Sequence, residues 1–211
     1  MGRAKARRLM NKAGVAVHRP RRRGPMTTDS RHHYAVAPTL LARQLDVTVP
    51  DHVWAGDLTS IWTAEGWLSL AVLVDWYSRQ VVGWAMNQPM ETTLVQDALQ
   101  MALGRRSPAA GLRHHADRGS QDASHAYQAT LANQGIICSM SEKGECLDNA
   151  VAERFFGSLK GERTSLRHYT TRQEAWDDGI DDIEMFYNSK RLHSYLGDVS
   201  PHDFERLARV A

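Results

Sequence analysis

Three carboxylates interrupt segments that otherwise read as structured. Asp57 lies inside VWAGDLTSIW, an apolar strand-like run. An acid there is costly to bury unless it is paired or bound to a cation; the other reading is a side chain turned to solvent. Asp117 follows the short run Leu112–His115 and precedes a helical stretch. Ligands in α/β sheets gather at such strand ends, although an ordinary loop or helix-capping Asp reads the same way. Glu153 belongs to a helix that the apolar spacing predicts over Asn149–Lys160. In projection Val151, Ala152, Phe155 and Leu159 form its back, while Asn149, Glu153, Gly157 and Lys160 form its front. Gly157 leaves room for a bulky substrate and Lys160 can pair a phosphate; a plain amphipathic helix with a solvated face has the same pattern. Acids brought together from separate elements suit hard Mg²⁺ or Mn²⁺, which takes carboxylate oxygens and keeps positions open for phosphate. Two such ions, about 3.5–4 Å apart, activate the attacking oxygen and stabilise the leaving one at a phosphodiester.

The elements that must position these acids follow from the hydrophobic pattern. Val53–Trp62, Trp67–Tyr77 and Gln80–Met86 read as strands, joined by turns at Glu65-Gly66 and Tyr77-Ser78-Arg79. They predict an antiparallel meander. A helix over Glu91–Leu103, a strand at Leu112–His115, a helix over Ser120–Gln134 and a strand at Ile136–Met140 come next. After the Glu153 helix, Thr171–Tyr187 opens on a capping box of Thr171 with Glu174, and Pro201–Arg209 closes the chain. The order predicts an α/β fold: a mixed five-stranded sheet flanked by helices. That is the order of the ribonuclease H-like fold, and other mixed α/β folds share it.

Charge divides the chain. It has 211 residues with a formal net charge of +2. Residues 1–50 hold 11 Lys and Arg against Asp29 and Asp46, a net of +9, which leaves −7 on residues 51–211. Residues 3–17 read as a short basic helix ending near Gly14; residues 18–38 read as a linker, and 39–45 as another short helix. This predicts a basic N-terminal helical arm over 1–50 and a compact domain over 51–211. A basic arm suits a polyanion, with Arg21, Arg22 and Arg23 on phosphates; a solvated tail is the plainer reading. Two cysteines, Cys138 and Cys146, make no disulfide scaffold and point to an intracellular protein. Leu68–Val74 is too short to cross a membrane.

Five segments carry a resemblance to a known family. They are VWAGDLTSI around Asp57, VDWYSRQVVGWAM at 74–86, HHADRGSQ around Asp117, GIICSMSEKGECLDNAVAERFFGSLKGE at 135–162 and MFYNSKRLHSYLGDVSP at 185–201. In order and over nearly the whole chain, they resemble the bacterial insertion-sequence transposases related to retroviral integrases, in the subunit that carries the integrase core. The resemblance implies a ribonuclease H-like integrase catalytic core over 51–211. It implies that Asp57, Asp117 and Glu153 are an acidic triad holding Mg²⁺ or Mn²⁺, as two ions. The implied reaction is cleavage at element ends followed by attack of the freed 3′ hydroxyl on target DNA. Lys160, Asn149, Arg154, Arg118 and the Arg21–Arg23 cluster are the expected DNA contacts. The implied partners are DNA, further copies of the chain, and a helix-turn-helix protein from an upstream reading frame, acting in the bacterial cytoplasm, at the nucleoid when on DNA. ARRLMNKAGV resembles the end of an upstream helical DNA-binding region, which implies an N-terminally truncated product. Two positions depart from the pattern: Ala116 stands where Ser is usual, and Asp122 where Tyr is usual.

Other constellations carry less. His32-His33, His114-His115, Cys138 and Cys146 lack the paired short spacings of a zinc site, and His115 is expected to pack beside Asp117. Asp177, Asp178, Asp181, Asp182 and Glu184 read as a solvated helix face. Tyr187, Asn188, Arg191 and His193 are expected either to position the Glu153 helix or to touch DNA, the former being the plainer reading. A ribonuclease H-type nuclease without joining would need a fourth acid, for which Asp75 and Asp97 are the nearest in type. A non-catalytic DNA-binding remnant is the third reading.

Overall fold

The computed structural model describes residues 3–14, 37, 47–88, 92–117, 124–141 and 149–209. The expected helix at 39–45, Arg21, Arg22, Arg23, Arg118, Asp122, His32, His33 and Cys146 lie outside these residues. Helix α1, Arg3–Lys12, is shorter than the expected span and ends in a turn where Gly14 takes the left-handed region at φ 67°.

Five strands form one mixed sheet: β1 (Val53–Thr63), β2 (Gly66–Asp75), β3 (Val81–Asn87), β4 (Arg113–Ala116) and β5 (Ile137–Met140). Their order across the sheet is β3-β2-β1-β4-β5. β1, β2 and β3 pair antiparallel, as their turn residues require, while β4 pairs parallel to β1 and β5 parallel to β4. Helix α2 (Thr92–Arg106) connects β3 to β4, and α3 (His125–Asn133) connects β4 to β5. Parallel neighbours need such crossovers. α4 (Ala150–Glu162), α5 (Arg172–Ile180) and α6 (Pro201–Ala208) follow.

Strand alternation sorts the core into two faces. On one, Val53, Ala55, Leu70, Val72 and Val74 pack against Val151, Phe155 and Leu159 of α4 and against Ile183 and Tyr187. On the other, Trp54, Leu58, Ala71 and Leu73 pack against α2 and against Tyr127 and Leu131 of α3. Gly83 lets α2 come close: a Cβ there would sit 2.3 Å from the Ala98 carbonyl oxygen.

The stretch expected as one helix over Thr171–Tyr187 changes pitch. α5 ends at Ile180 and the chain continues as a π-helix over Asp181–Tyr187, with the Asn188 N–H donating back to the Ile183 carbonyl at 3.1 Å. The wider turn shifts the side chains off the 3.6-residue projection. The acidic run is only partly a solvated face: Asp177 and Asp181 are exposed, while Asp178 and Asp182 are only 8% and 5% exposed. Asp178 accepts hydrogen bonds from Arg163 (3.0 Å), Arg167 and the Tyr169 hydroxyl (2.7 Å). Glu184 accepts from Trp84 Nε1 and Arg105, both at 2.7 Å. The capping box also differs in detail. Thr171 accepts from the Glu174 N–H at 3.1 Å, but Glu174 reaches back to the N–H of Thr170 at 2.8 Å instead of that of Thr171.

Asp75 is fully buried at the β2–β3 turn. Its carboxylate accepts from Ser78 N and Oγ (2.8 and 3.0 Å) and from Asp51 N (2.8 Å). Asp97 is exposed on α2, which packs on the face of the sheet opposite α4. Neither acid is placed as a fourth ligand beside Asp57.

Candidate active site

The register of two parallel strands sets the first two acids side by side. Gly56 of β1 pairs with Ala116 of β4, so Asp57 and Asp117 each follow a register partner on neighbouring strands, about 4.8 Å apart. Asp57 alternates with Ala55 and Val53, and so projects to the α4 face of the sheet. β1 passes over His114 at Gly56, where a Cβ would lie 2.8 Å from His114 Nε2. The glycine before Asp57 thus permits a close approach that no other residue allows. His114 is fully enclosed, with Nε2 3.0 Å from the Tyr127 hydroxyl, and burial followed by the neighbouring His115 pushes its pKa down to about 3.

Asp117 is half-buried. Burial raises its pKa, while hydrogen bonds from Ser141 and Asn149 oppose the rise. Ser141 Oγ lies 3.4 Å from Asp117 Oδ1 and 3.1 Å from His115 Nε2, and the other ring nitrogen of His115 lies 3.1 Å from Ser139 Oγ. His115 thus braces Asp117 through Ser141, as expected of a residue packed beside it. Ser139 of β5 and Ser141 just after it were not legible as part of this arrangement, because nothing in ICSMS marks the parallel β4–β5 pairing.

Glu153 occupies the first turn of α4, where a negative charge suits the helix dipole. Its pKa is raised, first by burial and then by the charge of Asp117; the two acids therefore sense one another. Asn149 corrects the helical projection. It is not on the exposed front with Glu153 but at the cap position, fully buried, with Nδ2 donating to the Gly56 carbonyl at 3.2 Å. In that position it cannot reach DNA. It ties the start of α4 to the residue before Asp57, and its Oδ1 has no hydrogen-bond partner among the described residues.

Further along α4, Lys160 is half-buried with Nζ 5.9 Å from the centre of the Phe156 ring. Burial lowers its pKa and the charge of Asp57 opposes that shift. Arg154 and Gly157 are exposed, and a Cβ on Gly157 would meet nothing within 4 Å.

The motif at 185–201 braces α4 from behind. The Tyr187 ring meets Phe155 edge-on at 4.8 Å and His193 at 5.0 Å. Arg191 pairs with Glu162 at the end of α4. Asn188 presents its amide to β3, accepting from Val81 N and donating to Val81 O, both at 2.9 Å. Tyr187 and Arg191 thus pack directly on the Glu153 helix, His193 backs Tyr187, and Asn188 fastens the segment to β3.

Register thus sets Asp57 beside Asp117, and the charge of Asp117 reaches Glu153. Among the described residues, no three His, Cys, Asp or Glu side chains close around one ion-sized point. Carboxylate oxygens, with the buried amide oxygen of Asn149 unpaired among the described residues, are donors that a hard cation takes.

Strand order, crossovers and the covering helix define a ribonuclease H-like fold. In agreement, the HTLV-2 integrase catalytic core domain, solved in complex with magnesium as a trimeric form, superposes with a TM-score of 0.58 at 17% identity, over 74% of this chain and 97% of that one. Two family models described as "Integrase core domain" match residues 47–146 and 134–201. A 31 kDa protein of insertion element IS600 from Shigella sonnei is 45% identical over 178 residues, covering 84% of this chain and 65% of the relative. The transposase of insertion sequence IS904 from Lactococcus lactis is 45% identical over 169 residues, covering 80% and 67%. The chain belongs to the integrase-core family of bacterial insertion-sequence transposases. It spans about two thirds of the length of these curated relatives.

Proposed function

We propose that residues 51–211 are the catalytic core of a DNA strand transferase, with Asp57, Asp117 and Glu153 as its acidic triad and residues 1–50 as a basic arm for DNA. The observation that carries the reading is the Gly56–Ala116 register together with the Asn149–Gly56 tie. They support it because Asp57 on the central strand and Asp117 just after β4 follow register partners, and the start of α4 is tied to the residue before Asp57.

Mg²⁺ or Mn²⁺, as two ions, fits this donor set: Asp57, Asp117 and Glu153 would hold them. The related HTLV-2 core is described in complex with magnesium. Bound there, the metal supplies Lewis-acid activation of the attacking and leaving oxygens. The chain's own residues do the rest. Lys160 neutralises a DNA phosphate beside Asp57 and Arg154 extends that contact. Ser141 and Asn149 keep Asp117 oriented. Arg118 and the Arg21–Arg23 cluster add sequence-independent, salt-sensitive contacts. The reaction is cleavage at an element end, then attack of the 3′ hydroxyl on target DNA. The protein works as a multimer in the bacterial cytoplasm, at the nucleoid when on DNA, with a helix-turn-helix partner for end recognition.

The test offers the full chain a labelled element end, Mn²⁺ and a target plasmid. Joined products are expected. Glu153→Gln should abolish joining while binding stays within about 2-fold. If Glu153→Gln joins strands like the wild type, the triad is wrongly assigned; cleavage without joining by the wild type makes the protein a nuclease instead.

A further inference from the structure

The turn between β1 and β2 carries two tryptophans where a sheet end could be polar. Trp62 and Trp67 are register partners across the hairpin and are 56% and 43% exposed. Their rings pack edge to face with centres 4.8 Å apart. Both line a cleft of about 260 Å³, together with Ser60, Lys160, Arg167 and His168. The volume is below the roughly 300–1,000 Å³ of sites for drug-sized ligands, so it suits one planar ring system. Lys160 links the cleft to the candidate active site: it lines the cleft and feels the Asp57 charge.

Exposed aromatic rings beside cationic side chains are how proteins hold unpaired nucleotides, with bases stacked on the rings and phosphates on the cations. A protein-binding patch of this size would be expected to continue into more apolar surface. Here the remaining lining is Lys160, Arg167, His168, the hydroxyl side chains Ser60, Thr164 and Ser165, and the buried Ile61 and Tyr169 at its floor. Arg167 also pairs with Asp178, which holds its backbone segment against α5.

We infer that this cleft is a seat for one unpaired DNA base next to the reacting phosphodiester, stacked on Trp62 and Trp67 with its phosphate on Lys160. The inference rests on the strand-transfer reading and adds a preference for frayed ends. A duplex end enters with its last pair opened. The displaced base is held in the cleft, and the backbone beside it runs past Lys160 toward Asp57.

The test is anisotropy of the full chain, without divalent metal, on two labelled probes: a blunt duplex and the same duplex with three unpaired thymidines at one 3′ end. The wild type should bind the frayed probe more tightly. The Trp62→Ala/Trp67→Ala double variant, checked for folding by circular dichroism, should lose about 10-fold or more on that probe and less than 2-fold on the blunt one. Trp62→Phe/Trp67→Phe, which keeps two rings, should recover most of the loss. Equal binding of both probes by the wild type overturns the inference. So does an equal loss on both probes in the Ala variant, which would assign the rings to duplex or protein contacts. Joining assays with Glu153→Gln separate the two claims: if that variant joins strands while the Trp variants lose the frayed probe, the triad falls and the base seat stands.

Discussion

Asn188→Ala removes a side chain that stands in for a missing strand. β3 is an edge strand, and Val81, fully buried on it, would otherwise leave a donor and an acceptor without partners. The Asn188 amide meets both at 2.9 Å from 107 residues away in sequence. Deleting it strands a buried N–H and a buried C=O, each costing about 1–3 kcal/mol where water cannot reach. The expected loss is on the order of 2–5 kcal/mol, a large share of a typical stability of about 5–15 kcal/mol. Urea unfolding followed by tryptophan fluorescence measures it, as a midpoint lowered by about 1–2.5 M for an m-value of about 2 kcal/mol/M. Asn188→Asp sharpens the test. It keeps the acceptor for Val81 N–H but sets a carboxylate oxygen against the Val81 carbonyl, so at neutral pH it should be at least as damaging as Ala. A loss under about 1 kcal/mol for Asn188→Ala would refute the reasoning, because it would mean that water or a backbone shift satisfies Val81 at little cost.

Three further outcomes are expected. Gly83→Ala drives a Cβ to 2.3 Å from Ala98 O and 2.7 Å from Ala102 Cβ, an overpacking cost of about 1–3 kcal/mol or more that a thermal melt reads directly. Arg106 forks onto Glu205 with two 2.7 Å bonds and reaches Asp51 at 2.8 Å. Burial raises the Glu205 pKa, but the bonds from Arg106 outweigh it and the net shift is downward. That contribution is present above the ordinary carboxylate range and lost as pH falls through the folded value. Arg106→Ala should therefore cost about 3–5 kcal/mol at neutral pH, and the gap in urea midpoint should narrow in acid. For Asp182 the sign reverses: burial, opposed by Arg163, raises its pKa to about 6. Stability from this group is full below about pH 4 and lost as pH rises through 6. Asp182→Asn should then gain on the order of 1–2 kcal/mol at neutral pH and nothing at pH 4, read from urea midpoints at both.

The sheet and the helices over its two faces were legible because strand alternation and the back of α4 are local patterns. Val151, Phe155 and Leu159 are buried where the projection put them. Errors arose where partners are distant. Asp178 and Asp182 looked solvated because the residues that enclose Asp178, namely Arg163, Arg167 and Tyr169, lie before α5, and because a π-helix does not follow a 100° projection. Asn149 was misplaced because a helical wheel was extended to a cap residue, whose backbone is not helical. At the candidate site the acids could be picked out, but their bracing could not. Ser139 and Ser141 become meaningful only once β5 lies parallel to β4. Trp62 and Trp67 read as ordinary strand ends until the hairpin register set them opposite each other.

The tie from Asn149 to the Gly56 carbonyl has a consequence for how such a chain can vary. It fastens the root of α4 to the strand that bears Asp57, independently of the path the polypeptide takes from Met140 to Asn149. Residues added or lost along that path would change the interval between Asp117 and Glu153 counted along the sequence and leave the anchorage of α4 as it is. The 35-residue interval is thus the length of a connection rather than the ruler of the site; the ruler is one amide on one carbonyl.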